Sequence, residues 1–409
     1  MGRKKASDKG RDEGAVPGPP DDPESGAGAP DADSGWVARV RRHLVDWYGG
    51  AARVLPWRED RDPYRILVSE MMLIQTTVAA VIPYFGRFLA RFPTVEALAG
   101  ADEVDVMKAW EGLGYYRRAR QLHSAARAIV RDHGGRFPDD FDAILALPGV
   151  GRYVAGAVLS FGFDRPAPIV EANTRRVLCR WLAWPLPPGT TRSQDRLWRA
   201  AGRLVPDQGA NAFNQAFMEL GALVCIPRRP LCLACPVAAD CEARVAGLQD
   251  ILPLASPKAP PTPAVEACAL VVREGRLLIV RRGPGRLWEG FWEFPTVHVA
   301  GADPAGRAFG DLEPVDLAEG VRRLAGVRVE VGPAVRTLRF GVTRYKVELA
   351  AHPARGLDEG LVPGPGLVDA AWVRPAELDP YPAGVAMRRL AAWIADQGPG
   401  FAAGVSGGS

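Results

Sequence analysis

Four cysteines, Cys225, Cys232, Cys235 and Cys241, form a C-x6-C-x2-C-x5-C ladder, and no other stretch of this 409-residue chain limits its fold as strongly. Thiolates this close in sequence can wrap one polynuclear iron centre, because each intervening loop spans only a few ångströms of cluster edge. The spacing therefore predicts a [4Fe-4S] cluster. A structural zinc is the alternative; zinc ligands commonly arrive as two C-x2-C knuckles, and here only Cys232 and Cys235 form one. The two remaining cysteines, Cys179 and Cys268, stand alone in apolar surroundings. That distribution suits a reducing, cytoplasmic compartment better than a disulfide framework.

At this length two folded domains with extensions are expected. No apolar run approaches the roughly 20 residues that cross a bilayer, and the N-terminus lacks the hydrophobic stretch of a signal peptide, so a soluble, unexported chain with no membrane partner is expected. The first 35 residues hold five Lys/Arg against eight Asp/Glu, so the net charge of +4 understates the remainder, which carries +7. A polyanionic partner fits that balance, as does an ordinary solvated surface.

Residues 1–35, rich in Gly, Pro, Asp and Ala, read as a disordered tail. Helical spacing then dominates 36–245, for example Leu67, Met71, Ile74 and Val78, or Leu122, Ala126, Ile129 and Val130. The proline-rich stretch within 246–264 reads as a stiff linker. Short β-branched or alternating runs follow at 267–272, 277–281 and 344–349, and helices at about 315–324 and 384–395 would cover their sheet. The expected organisation is thus a mostly α domain at 36–245 with a cluster loop at 225–241, an α+β domain at 265–395, and a flexible tail at 396–409.

Between two helix-patterned segments, 141–146 and 152–161, lies Leu147-Pro-Gly-Val-Gly151. Gly149 and Gly151 permit a tight turn whose amides, with the positive end of the next helix, can grip a phosphate. A helix-hairpin-helix holds a DNA backbone this way without reading sequence. A helix stop uses the same glycine.

Taken together, Leu55-Pro-Trp-Arg58, Ser69-Glu-Met-Met-Leu73 with Gln75-Thr76, Gly112-Leu-Gly-Tyr-Tyr116, the glycine hairpin and the cysteine ladder closely resemble the adenine DNA glycosylases of the MutY type. The likeness runs from about residue 36 to 241 and continues more weakly to about 395. It implies a helix-hairpin-helix glycosylase domain with a [4Fe-4S] cluster followed by a Nudix-like α+β domain. It also implies a monomeric base-excision repair enzyme that acts on double-stranded DNA and removes adenine mispaired with 8-oxoguanine or guanine.

Cleaving the N-glycosidic bond of deoxyadenosine calls for an acid to protonate the departing purine and a carboxylate to stabilise the oxocarbenium-like sugar. Glu70 suits the acid, since its helix is strongly apolar and burial would raise its proton affinity. The family pattern then expects Asp-Gly-Asn, whereas this chain has Glu171-Ala172-Asn173. Charge is kept with a reach one methylene longer; Glu171 is the expected stabiliser and Asn173 its neighbour, and a plain helix N-cap is the rival role for Glu171. Endonuclease III relatives place a lysine two residues after the hairpin, and Tyr153 stands there instead, which cannot form a Schiff base. The resemblance sets Tyr153 around the second carboxylate.

An adenine in a duplex must be flipped out and its gap plugged. By resemblance Gln75 and Tyr115 wedge into the stack, and Arg53, Trp57, Arg58 and Gln215 line the base pocket, although Trp57 and Tyr115 also suit a core. Ile74 stands where the family commonly has another glutamine. In the C-terminal domain, Leu317-Ala-Glu-Gly-Val-Arg-Arg-Leu324 cannot assemble the carboxylate cluster by which a Nudix hydrolase binds magnesium, so recognition without hydrolysis is expected. The family's lesion-reading loop aligns with Phe340 to Arg344, where Thr343 keeps a hydroxyl and Arg344 supplies donors that also suit a phosphate. Two alternatives remain at this level: a bifunctional endonuclease III-like lyase, and a protein that binds damaged DNA without cutting it.

Overall fold

The helical part follows from capped amphipathic segments joined by short turns. A computed structural model of the chain describes residues 34–255, 260–285, 288–301, 317–342, 344–397 and 401. Nearly all of the expected N-terminal tail, residues 256–259 of the linker and most of the C-terminal tail lie outside the described residues. In chain order the helices are α1 (Ser34–Ala51), α2 (Pro63–Leu73), α3 (Val78–Arg91), α4 (Val95–Ala99), α5 (Glu103–Trp110), α6 (Arg117–His133), α7 (Phe141–Leu145), α8 (Arg152–Phe163), α9 (Ala172–Trp181), α10 (Thr191–Leu204), α11 (Ala210–Leu223) and α12 (Glu242–Val245). No described helix is long and apolar enough to cross a membrane.

The chain divides into two units, one from 34–53 and 165–255, the other from 54–164 and 260 onward. In the first, α1 packs with the later helices around Trp36, Trp181 and Phe217, the last two rings stacked at 5.1 Å. Trp36 also donates its indole N–H to the carbonyl of Asp240 at 3.0 Å, which ties α1 to the cysteine loop. Helix α11 crosses α9 at Gly221, where a Cβ would stand 2.6 Å from that of Asn173 and 3.1 Å from its backbone.

The second unit begins with α2, capped by Asp62 and entered through Pro63 as N-terminal capping chemistry favours. The single helical stripe expected from Leu67 to Val78 is broken: α2 stops at Leu73, Gln75 turns left-handed at φ 57°, and Thr77 caps a new helix. A threonine cap satisfies the amides of α3, and the periodicity happens to continue across the break. Further on, Asp140 caps α7 and the chain reverses through Gly149 at φ 75° into α8.

The C-terminal part contains β1 (Thr262–Arg273), β2 (Arg276–Arg282), β3 (Trp292–Glu293), β4 (Thr296–Gly301), α13 (Leu317–Ala325), β5 (Val329–Val331), β6 (Arg336–Val342), β7 (Tyr345–Gly356), β8 (Leu367–Val373) and α14 (Val385–Asp396). Their mixed sheet runs β3-β2-β1-β7-β5, with β4 paired to β1, β6 to β7 and β8 to β2; β1 and β7 are parallel. Alternate residues of β1 point to opposite faces, as the pleat requires. Leu270 and Val272 join Met387, Leu390 and Ile394 of α14, whereas Ala269 and Val271 join Val321 and Ala325 of α13. This burial on both faces explains the unbroken apolar run of β1. Helix α13 begins at Leu317 among the described residues, so the start expected near 315 falls outside them. In the same unit, Arg388 pairs with Glu111, and the rings of Tyr116 and Phe291 lie 4.1 Å apart.

Alanine at Gly221 separates two opposed effects. An open helical site would gain up to about 1 kcal/mol from the replacement, but the α9 backbone stands in the way. Gly221→Ala should therefore lose about 1–3 kcal/mol, read as a lower urea midpoint; a raised midpoint would disprove the close crossing.

Candidate active site and cysteine cavity

The residues singled out by the sequence divide between the two units. In the second unit, α2 is buried around nearly its whole circumference, and Glu70 on it is 3% exposed. Tyr153, on the first turn of α8, donates its hydroxyl to Glu70 Oε2 at 2.5 Å, the length of a strong O–H···O bond. The resemblance set Tyr153 around the second carboxylate; the bond described here runs to the first. Close packing makes that reach possible, since Gly162 of α8 lies against Pro63 of α2.

Gly149 and Gly151 occupy the turn before α8, and a Cβ at Gly149 would stand 2.3 Å from that of Gln121. Trp57 is buried edge-on to Phe85 at 5.5 Å, as a core aromatic would be, and Arg58 beside it is half-buried. By contrast, Gln75 and Tyr115 are exposed, each with left-handed backbone. Arg344 sits exposed at the β6–β7 turn with its guanidinium 5.2 Å from the ring centre of Tyr345. Thr343 lies outside the described residues.

In the first unit Glu171 is the N-cap of α9. Its Oε2 accepts from the Asn173 amide at 2.7 Å and its Oε1 from the Thr174 amide at 2.8 Å, while Thr174 Oγ1 accepts from the Glu171 amide. The cap role weighed as a rival is thus real. A carboxylate has about four lone-pair directions, so capping leaves it further accepting capacity. Burial pushes the Glu171 carboxyl above its usual range, and the two amide bonds oppose that rise.

Asn173 is oriented by a residue that single-sequence patterns do not reveal. Arg176, one turn on, donates to Asn173 Oδ1 at 2.9 Å and to the carbonyls of Gly221 and Cys225 at 2.6 and 2.7 Å. Arg53 forms a forked ion pair with Glu219, which is wholly buried, at 2.7 and 2.9 Å. Gln215 accepts from Tyr48 and donates to Asn211, both at 2.9 Å. Glu219 and Tyr48 contribute through partners far apart in sequence, which is why spacing could not find them.

Cys225, Cys232, Cys235 and Cys241 line one cavity together with Arg180. Arg180 is 1% exposed and braces the loop, donating to the carbonyls of Ile226 and Leu252 at 2.8 and 2.9 Å and to Cys225 Sγ at 3.3 Å. Burial pushes the Cys235 thiol up to about 12, so a cationic group would be needed to hold that sulfur as a thiolate. The four donors are shared by one cavity and are all soft, which fits a thiolate-bound cluster. Among the described residues no group of three or more His, Cys, Asp or Glu is set to hold a metal ion as placed.

Two families match the chain: the HhH-GPD superfamily of base excision DNA repair proteins over residues 68–201, and the NUDIX domain over residues 267–393. The adenine DNA glycosylase of Rattus norvegicus is 41% identical over 268 residues, covering 63% of this chain and 51% of that protein. The adenine DNA glycosylase of Mycolicibacterium smegmatis is 42% identical over 206 residues, covering 50% of this chain and 69% of that protein. Among solved structures, a thermostable thymine-DNA glycosylase superposes with a TM-score of 0.48 at 31% identity, covering 52% of this chain and 98% of that one. The chain spans about half the length of the mammalian relatives it matches.

Removing Arg176 tests how firmly the Asn173 region is held. Arg176→Met strips partners from buried carbonyls, so stability should fall by about 3 kcal/mol, seen in chemical denaturation. A midpoint equal to that of the parent protein would mean those carbonyls find other donors.

Proposed function

The chain belongs to the adenine DNA glycosylase family, and on that premise we propose that it is a monofunctional base-excision repair enzyme that removes adenine mispaired with 8-oxoguanine or guanine in double-stranded DNA. The observation that carries the proposal is Glu70, a carboxylate buried in α2 and held by the Tyr153 hydroxyl. In the reaction protonated Glu70 gives its proton to the departing purine as the bond to the sugar C1′ breaks, and a water oxygen bonds to C1′ in the base's place and returns a proton to the now ionised Glu70. Glu171, at the start of α9, stabilises the cationic sugar through its carboxylate, and Asn173 orients its surroundings. Tyrosine at position 153 offers no amine for a Schiff base, which supports hydrolysis without strand cleavage.

Gln75 and Tyr115 enter the stack, Arg53, Trp57, Arg58 and Gln215 receive the adenine, and the hairpin at Gly149 and Gly151 holds a phosphate through its amides. In the C-terminal domain Arg322 and Arg323 pair with Glu319, the single acidic residue of α13. A helix of that composition supports lesion recognition rather than magnesium-dependent hydrolysis, with Thr343 and Arg344 as the reading residues. Cys225, Cys232, Cys235 and Cys241 would hold a [4Fe-4S] cluster. When bound, the group would cross-link the loop rather than take part in bond cleavage.

Single-turnover excision from an 8-oxoguanine:adenine duplex tests the two carboxylates. Glu70→Gln should keep DNA binding and lose adenine release. Glu171→Gln should cost about 2.7–4 kcal/mol in the chemical step, while Glu171→Asp retains measurable activity. Full activity in Glu171→Gln would leave that residue with its capping role alone.

The cofactor has its own test. Purified protein should contain iron and sulfide with absorbance near ~400 nm, and Cys232→Ser should lose both and bind DNA more weakly. Stoichiometric zinc without iron would replace the cluster with the simpler metal.

A further inference from the structure

The two exposed tips assigned to the DNA stack share one buried support. Gln75 and Tyr115 lie on separate loops, one after α2 and the other before α6, and both have left-handed backbone, at φ 57° and 49°. Left-handed conformations are uncommon for residues with a Cβ and persist where surroundings impose them. Beneath both loops lies Arg118, 5% exposed. Its Nη1 donates to the carbonyls of Met71 and Met72 at 2.8 and 2.9 Å and to that of Ile74, the residue before Gln75. Its Nη2 donates to Thr76 Oγ1, the residue after Gln75, and to the carbonyl of Gly114, the residue before Tyr115, both at 3.2 Å. The Arg118 amide donates to the Tyr115 carbonyl at 2.8 Å, and the guanidinium lies 5.3 Å from the Tyr115 ring centre and 5.6 Å from that of Trp110.

A buried cation is costly unless its hydrogen bonds are met, and the described partners of Arg118 are carbonyls, a hydroxyl and rings rather than a carboxylate. Burial lowers the guanidinium to about 10, which keeps it protonated at neutral pH. Only a planar fork can serve carbonyls on both loops at once; an ammonium is a single point of donation.

We propose that Arg118 is a positioning residue for base extrusion, locking the Gln75 and Tyr115 tips into one rigid two-pronged wedge. The proposal rests on the glycosylase reading and concerns the flipping step rather than bond cleavage. Its stiffness would let the energy of DNA binding go into parting the stack instead of ordering two loops.

The test uses the full chain and two substrates. One is an 8-oxoguanine duplex with 2-aminopurine, whose fluorescence rises on unstacking, in place of the target adenine; the other carries adenine already unpaired opposite a one-nucleotide gap. Arg118→Met should abolish the fluorescence rise and slow single-turnover excision from the 8-oxoguanine:adenine duplex by about 100-fold, while excision of the unpaired adenine stays near the parent rate. Arg118→Lys keeps charge and bulk, so it guards against misfolding, and it should show the same split. A fluorescence rise equal to that of the parent protein would overturn the proposal, as would equal slowing on both substrates, which indicates a general structural role. Failure of the unmodified chain to excise adenine would instead remove the reading beneath it.

Discussion

A helix that ends inside a protein leaves carbonyls or amides that must find partners, and much of this structure is organised by how that requirement is met. Arg118 collects the last carbonyls of α2, Arg176 takes those at the end of α11, and Arg180 takes those of the segment leading through the cysteine loop. Each guanidinium is buried, and each spends most of its donors on backbone oxygen. Cross-links of this kind fix where one element stops relative to the next more sharply than apolar contact does, because hydrogen bonds lose strength within a few tenths of an ångström. The helices that carry Glu70, Glu171 and Asn173 are therefore registered by charge-assisted bonds as well as by packing.

The architecture was legible where chemistry is local. Spacing alone marked the cysteine loop, the glycine turn between α7 and α8, and the change from helical to alternating pattern ahead of the sheet. Glu70 was legible too, since a carboxylate within Ile66 to Leu73 must be buried. What escaped was long-range or coincidental. The stripe from Leu67 to Val78 kept helical period across a break that only Thr77, a good cap, foreshadowed. Glu219 reads as an ordinary helix glutamate, and its burial beneath Arg53 depends on contacts 166 residues apart.

Glu171 shows how one side chain can be constrained from two directions. Glutamate is not among the preferred N-cap residues, yet here both its oxygens meet the first amides of α9. The side chain folds back on the helix start, so the longer reach of glutamate still serves as a cap. The positive end of α9 then favours the ionised form, against the burial that disfavours it. Burial is the larger of the two influences, and the carboxyl lies above its usual range.

The parallel pairing of β1 with β7 has a consequence for how the chain is made. Thr262 lies opposite Tyr345, and Val272 opposite Arg355, so the central strand of the sheet must wait for a neighbour roughly 80 residues later in the chain. At ribosomal speeds of about 5–20 residues per second that wait lasts roughly 4 to 16 s. During it the apolar run of β1 has only β2 and β4 as partners, and the face of Leu270 and Val272 still lacks its covering helix α14. The nascent sheet thus waits with apolar surface uncovered, while the helical segments before it can already be folding.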